Sequence, residues 1–539
     1  MNHSDHEYIR TIFSDTLLSV QKKKNILSFT GSIFLADDEI NKVELALVGQ
    51  RSGHTSLYSI SFDYIDQTTQ THNEYQWHWH LNVQKLIKKI LIEHRGVDVF
   101  SVRLLIHTRN RQAPLVLSVS LPGVYTMAYF KEVVAHYGKT SGLIASSVSS
   151  EGFLELTVSF IDRDVFKKNK KHSLAEIFEA KKQDRPIWLI GHKADSLGEN
   201  SWTFFQHVLQ TLTEIDVFYI LDPSAPEWHM AKKIAGSNLL AFHSKEYFNY
   251  LKVADRLICE ALPYHLYPSM SPTWDAQVKA KKTILPAYPL GLDNGRWTVN
   301  KHFVPWEIDH LVVSSKPEKR YAIETLGYAD DKVLLTGLAS QTLLDQQDGE
   351  EENLVLLVPL LKQNKWHSQN QRRQDPLLQL VQEEPFQDWL KTNMLDLCVL
   401  LTEADEELKE AYQACGVKTK TVELFEKQMW LKKARLLITD AHPLALEFAW
   451  LERPIVFYQI DSNQTDLSIS HDEKERVYQN ELPGEVAESV DQVVHLLTQI
   501  SNDNFEMSRR NRMKARALFE FDSGGENDRL LEYFNPETP

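Results

Sequence analysis

Only three cysteines, Cys259, Cys398 and Cys415, occur in 539 residues, scattered and without metal-type spacing. That excludes a disulfide framework and fits a reducing compartment. Long apolar runs are missing too. None approaches the roughly 20 residues needed to cross a bilayer, and no signal peptide opens the chain, so the expected location is cytoplasmic. Any membrane contact is expected to be peripheral, at the inner face of the cell membrane. Positive charge is also short: 59 Lys and Arg stand against 74 Asp and Glu, a formal net charge of -15. This argues against a general nucleic-acid binder, whose affinity would come from phosphate neutralisation.

What is present is a chain long enough for two or three domains, with apolar and charged fractions of ordinary soluble proteins. Residues 8–20 place Ile9, Ile12, Phe13, Leu17 and Val20 on one helical face ahead of Gln21-Lys22-Lys23-Lys24. The expectation is a helix packed on its own domain, with an interfacial membrane helix as the alternative. From about 26 to 162 the period changes to two, as in Val43/Leu45/Leu47, Tyr58/Ile60/Phe62/Tyr64, Phe100/Val102/Leu104/Ile106, Leu115/Leu117/Val119/Leu121 and Leu154/Leu156/Val158/Phe160. Alternating strands between turn signals predict an antiparallel β-sandwich, giving a first domain over 1–165. In Trp77-His78-Trp79-His80 the alternation reads as one buried and one wet face, since two histidines are too few to hold a metal.

Residues 166–184, with Lys167-Lys168-Asn169-Lys170-Lys171 and Lys181-Lys182, read as a basic linker. Its other reading is a patch facing an anionic lipid or polymer. Beyond it strands and helices alternate. Strands are expected at 186–191, 217–221, 256–258, 283–285, 311–313 and 333–335, with helices at 201–214, near 247–254 and at 317–326. An acidic, turn-prone stretch at Gln346–Asn353 separates this series from a second that starts at Leu354-Val355-Leu356-Leu357-Val358. Two doubly wound parallel sheets follow, over 185–345 and 346–539, with a ligand expected where the halves meet. That is a GT-B-like pair of Rossmann-type domains behind a β-sandwich. Within the second half, Leu436–Thr439, the segment from Ala441-His442-Pro443 to Leu451, and Ile455–Tyr458 form one βαβ unit. Its first loop lies where a helix start offers N–H groups to a phosphate.

Several segments over roughly 185–532 follow one another in a characteristic order. They are Trp188-Leu189-Ile190-Gly191 with Asn200, Gly236-Ser237, Thr336-Gly337-Leu338, Leu437-Ile438-Thr439-Asp440, Pro454–Gln459 with Asp461, Pro483-Gly484, and Asp522 with Gly524 and Arg529. Taken together, they make the sequence resemble the CDP-glycerol glycerophosphotransferase family, which builds teichoic acids and related wall or capsular polymers. The resemblance implies a GT-B transferase that moves a polyol phosphate from a CDP-linked donor, its substrate, to a cell-surface polymer. It implies no cofactor beyond that donor. It also implies Thr336, Gly337, Lys362, Thr439, Asp440 and Arg529 as donor contacts.

The departures are as informative as the matches. The family's His-Gly falls on Tyr288-Pro289, and a tyrosine with a pKa near ~10 is a poor base at neutral pH. Its Pro-Thr-Trp-Arg falls on Pro359-Leu360-Leu361-Lys362, its His-Pro on Thr402-Glu403, its Thr-Gly-Leu-Pro-Arg on Thr336–Ser340, and its Thr-Asp-Tyr-Ser-Ser on Thr439–Pro443. The substitutes open to an active enzyme are His442 as base or phosphate contact, then Tyr288 and Lys362. His265 and His302 flank the altered segment. Against this, Asp440 reads equally as a helix cap and His442 as a loop residue. Two functions stay open: an enzyme of this family acting on a nucleotide-linked polyol or sugar donor, and a non-catalytic pseudoenzyme that serves as scaffold for a partner biosynthetic protein.

Overall fold

The computed structural model describes residues 12–36, 39–50, 55–69, 72–93, 98–121, 127–149, 152–171, 185–289, 299–302, 304, 306–345, 351–359, 376–401, 406–422, 426–440, 442–458, 482–521 and 524–534. The chain divides into two compact units. The first is Met1–Leu197, Val208–Ile284 and Gly295–Asp309; the second is Gly198–His207, Leu285–Asn294 and His310–Pro539.

The first unit opens with eleven antiparallel strands: β1 (Ile12–Lys23), β2 (Ile26–Ala36), β3 (Ile40–Gly49), β4 (Thr55–Ser59), β5 (Ser61–Thr69), β6 (His72–Asn82), β7 (Asp98–Thr108), β8 (Leu115–Ser118), β9 (Glu132–Tyr137), β10 (Thr140–Val148) and β11 (Leu154–Asp162). One sheet has the order β1-β2-β6-β5. The other has the order β4-β3-β7-β11-β10-β9, with β8 on β7.

The helix expected over 8–20 is corrected here, for residues 12–20 belong to β1, which forms a hairpin with β2; residues 8–11 lie outside the described ones. A register shift between Leu17 and Ser19 explains the misreading. A bulge inserts one residue and inverts the alternation beyond it, so Leu17 and Val20 both face inward with a helix-like spacing of three. The expected strand through Tyr58 to Tyr64 is two strands that break at Ile60 and join different sheets. On β6, Trp77 and Trp79 are buried, while His78 and His80 meet the hydroxyls of Thr30 and Ser28 on the opposite face. Trp77 lies across from Gly31, where a Cβ would fall 2.4 Å from the indole. The helix Val83–Glu93 buries Val83, Leu86, Ile87 and Ile90, one apolar stripe of period 3.6. The head of the basic stretch, Arg163–Lys171, is helical.

The same unit continues with β12 (Ile187–Gly191), β13 (Asp216–Leu221), β14 (Leu239–Ala241), β15 (Arg256–Cys259) and β16 (Lys281–Ile284), all parallel in the order β14-β13-β12-β15-β16. The order reverses beside β12. Such a reversal makes the carboxyl ends of β12 and β15 the topological switch point of this sheet.

The second unit holds the parallel pair β17 (His310–Val313) and β18 (Val333–Leu335). Its six-stranded parallel sheet comprises β19 (Leu354–Val358), β20 (Asp396–Leu401), β21 (Lys418–Thr421), β22 (Ala434–Thr439), β23 (Ile455–Tyr458) and β24 (Glu485–Ala487), in the order β21-β20-β19-β22-β23-β24. Alternate residues serve opposite layers. Val355, Leu357, Leu436, Ile438 and Val456 enter one core, whereas Leu356, Val358, Leu437, Ile455 and Phe457 enter the other. Burial on both faces is why these strands read as unbroken apolar runs. The fold class is the expected one, antiparallel sheets followed by two Rossmann-type parallel sheets in tandem, the element series of a GT-B chain.

Candidate functional site

All groups described next lie in the second unit. Order in its sheet reverses between β19 and β22, and their carboxyl ends are tied by the Thr439 hydroxyl, which donates to the Val358 carbonyl at 2.6 Å. The same oxygen accepts the His442 N–H at 2.9 Å, folding the loop back on itself. His442 Nδ1 then accepts the N–H of Leu444 at 3.0 Å, so the ring caps the helix Leu444–Ala449. The helix expected after Pro443 is present and six residues long. The N–H that the sequence offered to a phosphate is taken by His442.

His442 is 5 % exposed. Burial, aided by the nearby Lys427 ammonium, pulls its pKa down to about 3. The ring is therefore neutral at physiological pH, and with Nδ1 accepting, its proton sits on Nε2. A ring in that state donates a hydrogen bond from Nε2. It is a poor proton acceptor.

Tyr288 stands edge-on to His442, ring centroids 6.1 Å apart. The Lys427 ammonium lies 5.0 Å from the Tyr288 ring centre. Lys427 is itself buried between two carboxylates, 2.5 Å from Glu199 and 2.8 Å from Glu447. Burial favours its neutral form, but Glu199, Glu447 and Tyr288 overcome that and hold its pKa well above the usual lysine range. Burial pushes Glu447 up to about 7 despite the lysine, with Glu199 adding to the rise. Gln428 donates to Glu199 at 2.9 Å. One cation thus serves two buried acids, an arrangement in which a proton on Glu447 balances the charge near neutral pH.

The loop bearing Tyr288 is held by Asn200. Its amide nitrogen donates to the Pro286 and Ala287 carbonyls at 3.0 and 3.3 Å. Its oxygen accepts the Ser340 N–H at 2.7 Å. The segment just before Ser340 is the predicted Thr336-Gly337 pair. The Thr336 hydroxyl donates to the Gly337 carbonyl, and Gly337 has φ +84 with Glu526 and Gln341 where a Cβ would stand.

Arg529 turns to this segment. Its Nε donates to the Thr336 carbonyl at 2.9 Å, Nη1 to the Gly524 carbonyl and Nη2 to Glu526, and its guanidinium lies 3.7 Å from the Phe521 ring centre. Thr336, Gly337 and Arg529 therefore gather as one clamp within the fold. Thr439, Asp440, His442 and Tyr288 gather as a second group, and Asn200 links the two. Lys362, Thr402-Glu403 and Asp522 lie outside the described residues.

Sequence reasoning missed Glu199, Lys427 and Glu447. Each is a charged residue of ordinary type on a helix, with no local pattern to mark it as buried. Asn200 was visible as part of the family resemblance, without its role. Among the described residues no group of three or more His, Cys, Asp and Glu is arranged to hold a metal ion. Also among them, no helix is long and apolar enough to cross a membrane.

Comparison with known proteins adds two regions. Residues 417–534 match the family described as CDP-Glycerol:Poly(glycerophosphate) glycerophosphotransferase. Residues 11–146 match the TarS beta-glycosyltransferase C-terminal domain 1. No curated protein matches the chain. Among solved structures, the wall teichoic acid polymerase TagF is similar at 12 % identity, covering 69 % of this chain and 93 % of that one, with a TM-score of 0.45. UDP-GlcNAc 2-epimerase from Neisseria meningitidis, bound to UDP-GlcNAc, is similar at 9 % identity over 65 % of this chain and 99 % of that one, with a TM-score of 0.41.

Proposed function

We propose, on the match of residues 417–534 to the CDP-glycerol glycerophosphotransferase family, that the chain is a transferase of teichoic acid-type polymer synthesis that draws a polyol phosphate from a CDP-linked donor. The family match carries the reading, since it spans Lys427, His442, Glu447 and Arg529 together. In this reading the acceptor is a cell-surface polymer met at the inner face of the membrane. His442 offers its Nε2 proton to the donor's pyrophosphate, where charge grows as the bond to the nucleotide breaks. Tyr288 and Asp440 flank it, and Lys362 supplies a cation in place of the family's arginine. Arg529, Thr336 and Gly337 act by holding the loop that Asn200 ties to Tyr288. The Lys427 ammonium, held by Glu199 and Glu447, lies against the Tyr288 ring and adds to the burial that keeps the His442 ring neutral.

A second reading is a non-catalytic member of the family. It is favoured by one observation: the hydroxyls of Thr336 and Thr439, His442 Nδ1 and the Arg529 guanidinium are all engaged by the protein itself. Calorimetric titration of the full chain with CDP-glycerol, against CMP and a UDP-sugar, separates the two. Saturable binding that requires cytidine, followed by transfer of glycerol phosphate to a polymer primer, is the expected result. A folded sample that binds none of the three leaves only the non-catalytic reading.

A further inference from the structure

A second group of polar side chains stands at the other switch point, in the first unit, and nothing in the proposed transfer uses it. β12 ends at Gly191, whose carbonyl accepts the N–H of Glu260 at 3.0 Å. A Cβ on Gly191 would lie 2.9 Å from Leu266. The end of β12 is thus pressed against the short 3-10 helix Pro263–Leu266, bringing His192 and Lys193 of one segment beside His265 of the other. His265 is 8 % exposed. The Nδ1 atoms of His192 and His265 are both buried, and neither has a hydrogen-bond partner among the described residues. A buried polar atom left unmet is destabilising, and native folds rarely keep one without a reason. Two side by side, at the carboxyl ends of parallel strands, is the pattern of a binding site.

The chemistry of the ligand follows from the charges. The charged or titratable neighbours that act on the two rings are Lys193 and, for His265, His192; no carboxylate is among them. Burial, with Lys193, keeps both rings from protonating. Lys193 repels a cation, and no three-ligand metal group exists among the described residues. Two neutral imidazole donors and one ammonium fit an anionic oxygen of tetrahedral charge distribution. We propose that His192, Lys193 and His265 form a phosphate-binding subsite at the carboxyl end of β12, distinct from the His442 group. The site takes a phosphate ester through its oxygens, with Lys193 supplying charge and each ring an N–H.

The test is calorimetric titration of the full chain with inorganic phosphate in phosphate- and sulfate-free buffer, repeated on Lys193→Ala, His265→Asn and His442→Asn. Loss of one charge-assisted bond weakens such a site tenfold or more. The expected result is a Kd raised at least tenfold by Lys193→Ala and by His265→Asn, and unchanged by His442→Asn. Absence of phosphate binding to the wild-type chain overturns the proposal, as does binding weakened by His442→Asn alone, which would put the ion in the second unit. Lys193 is half-buried at a loop, so Lys193→Ala decides the matter if His265→Asn does not fold. Competition by glycerol 3-phosphate and by CMP then tells a polyol phosphate from a nucleotide phosphate. The outcome is independent of whether CDP-glycerol binds.

Discussion

His442 Nδ1 and the backbone N–H of Leu444 are joined at 3.0 Å, which makes one imidazole both a helix cap and a candidate for the chemistry. The two roles come apart by substitution. Asn at 442 keeps an acceptor for the cap, whereas Ala does not. His442→Ala is expected to lower stability by about 1 kcal/mol, the usual worth of a cap, and His442→Asn by less. Transfer is expected to fall at least a hundredfold in both variants. Transfer at wild-type rate in His442→Asn would reduce the residue to its cap.

Lys427 between Glu199 and Glu447 gives a sharper stability test. Lys427→Met leaves two carboxylates buried together without their cation, a change that costs about 3–5 kcal/mol. Adding Glu199→Gln and Glu447→Gln to the same chain is expected to recover most of that loss. Urea unfolding of the single and triple variants measures it. Equal midpoints for Lys427→Met and the wild type would mean that the ion pairs contribute nothing.

Stability also depends on pH in a definite direction. His442 and His192 have folded-state pKa values pulled to about 3 by burial, below the value near ~6.5 of an unfolded chain. Their contribution is complete above the unfolded value and is lost as pH falls from there toward 3. Glu447, raised to about 7 by burial, works the other way: its contribution is present below the unfolded value near ~4.3 and is lost as pH rises through 7. The lowered histidines, which also include His265 and His243, oppose the raised carboxylates Glu447 and Glu526 in the shared interval. Urea midpoints are therefore expected to rise from pH 4.5 to 6.5, and less steeply in His442→Asn. A flat wild-type profile, or one whose slope His442→Asn leaves alone, refutes the assignment.

Asn200 spans three backbone groups, and Asn200→Ala strands the Ser340 N–H and the carbonyls of Pro286 and Ala287. The expected cost is about 1–3 kcal/mol, with faster hydrogen exchange at Ser340 and lower transfer because the Tyr288 loop loses its tie. Unchanged exchange at Ser340 would show that the loop is held by something else.

Much of the fold was legible because parallel strands buried on both faces announce themselves as apolar runs. The strands at Ile187–Gly191, Leu354–Val358 and Ala434–Thr439 were read almost residue for residue. Failures occurred where a local irregularity imitates another period, as the bulge near Leu17 does, or where the element is too short to have a period, as with Leu239–Ala241. The site was legible only in part. Tyr288 and His442, two candidates more than 150 residues apart in sequence, adjoin in the structure. Arg529 and Thr336, expected as donor contacts, are joined by a hydrogen bond across nearly two hundred residues of chain. Nothing local distinguishes an arginine that holds a carbonyl from one that holds a phosphate. The buried Lys427 group was invisible for a like reason, since its partners come from three separate segments.

Gly31 and Trp77 carry a consequence of another kind. With an indole where any β-carbon would go, neither position can drift alone: a larger residue at 31 is tolerated only once 77 has shrunk, and a shrunken 77 leaves a void until 31 grows. Among descendants of this chain the two sites should therefore change as a pair or not at all.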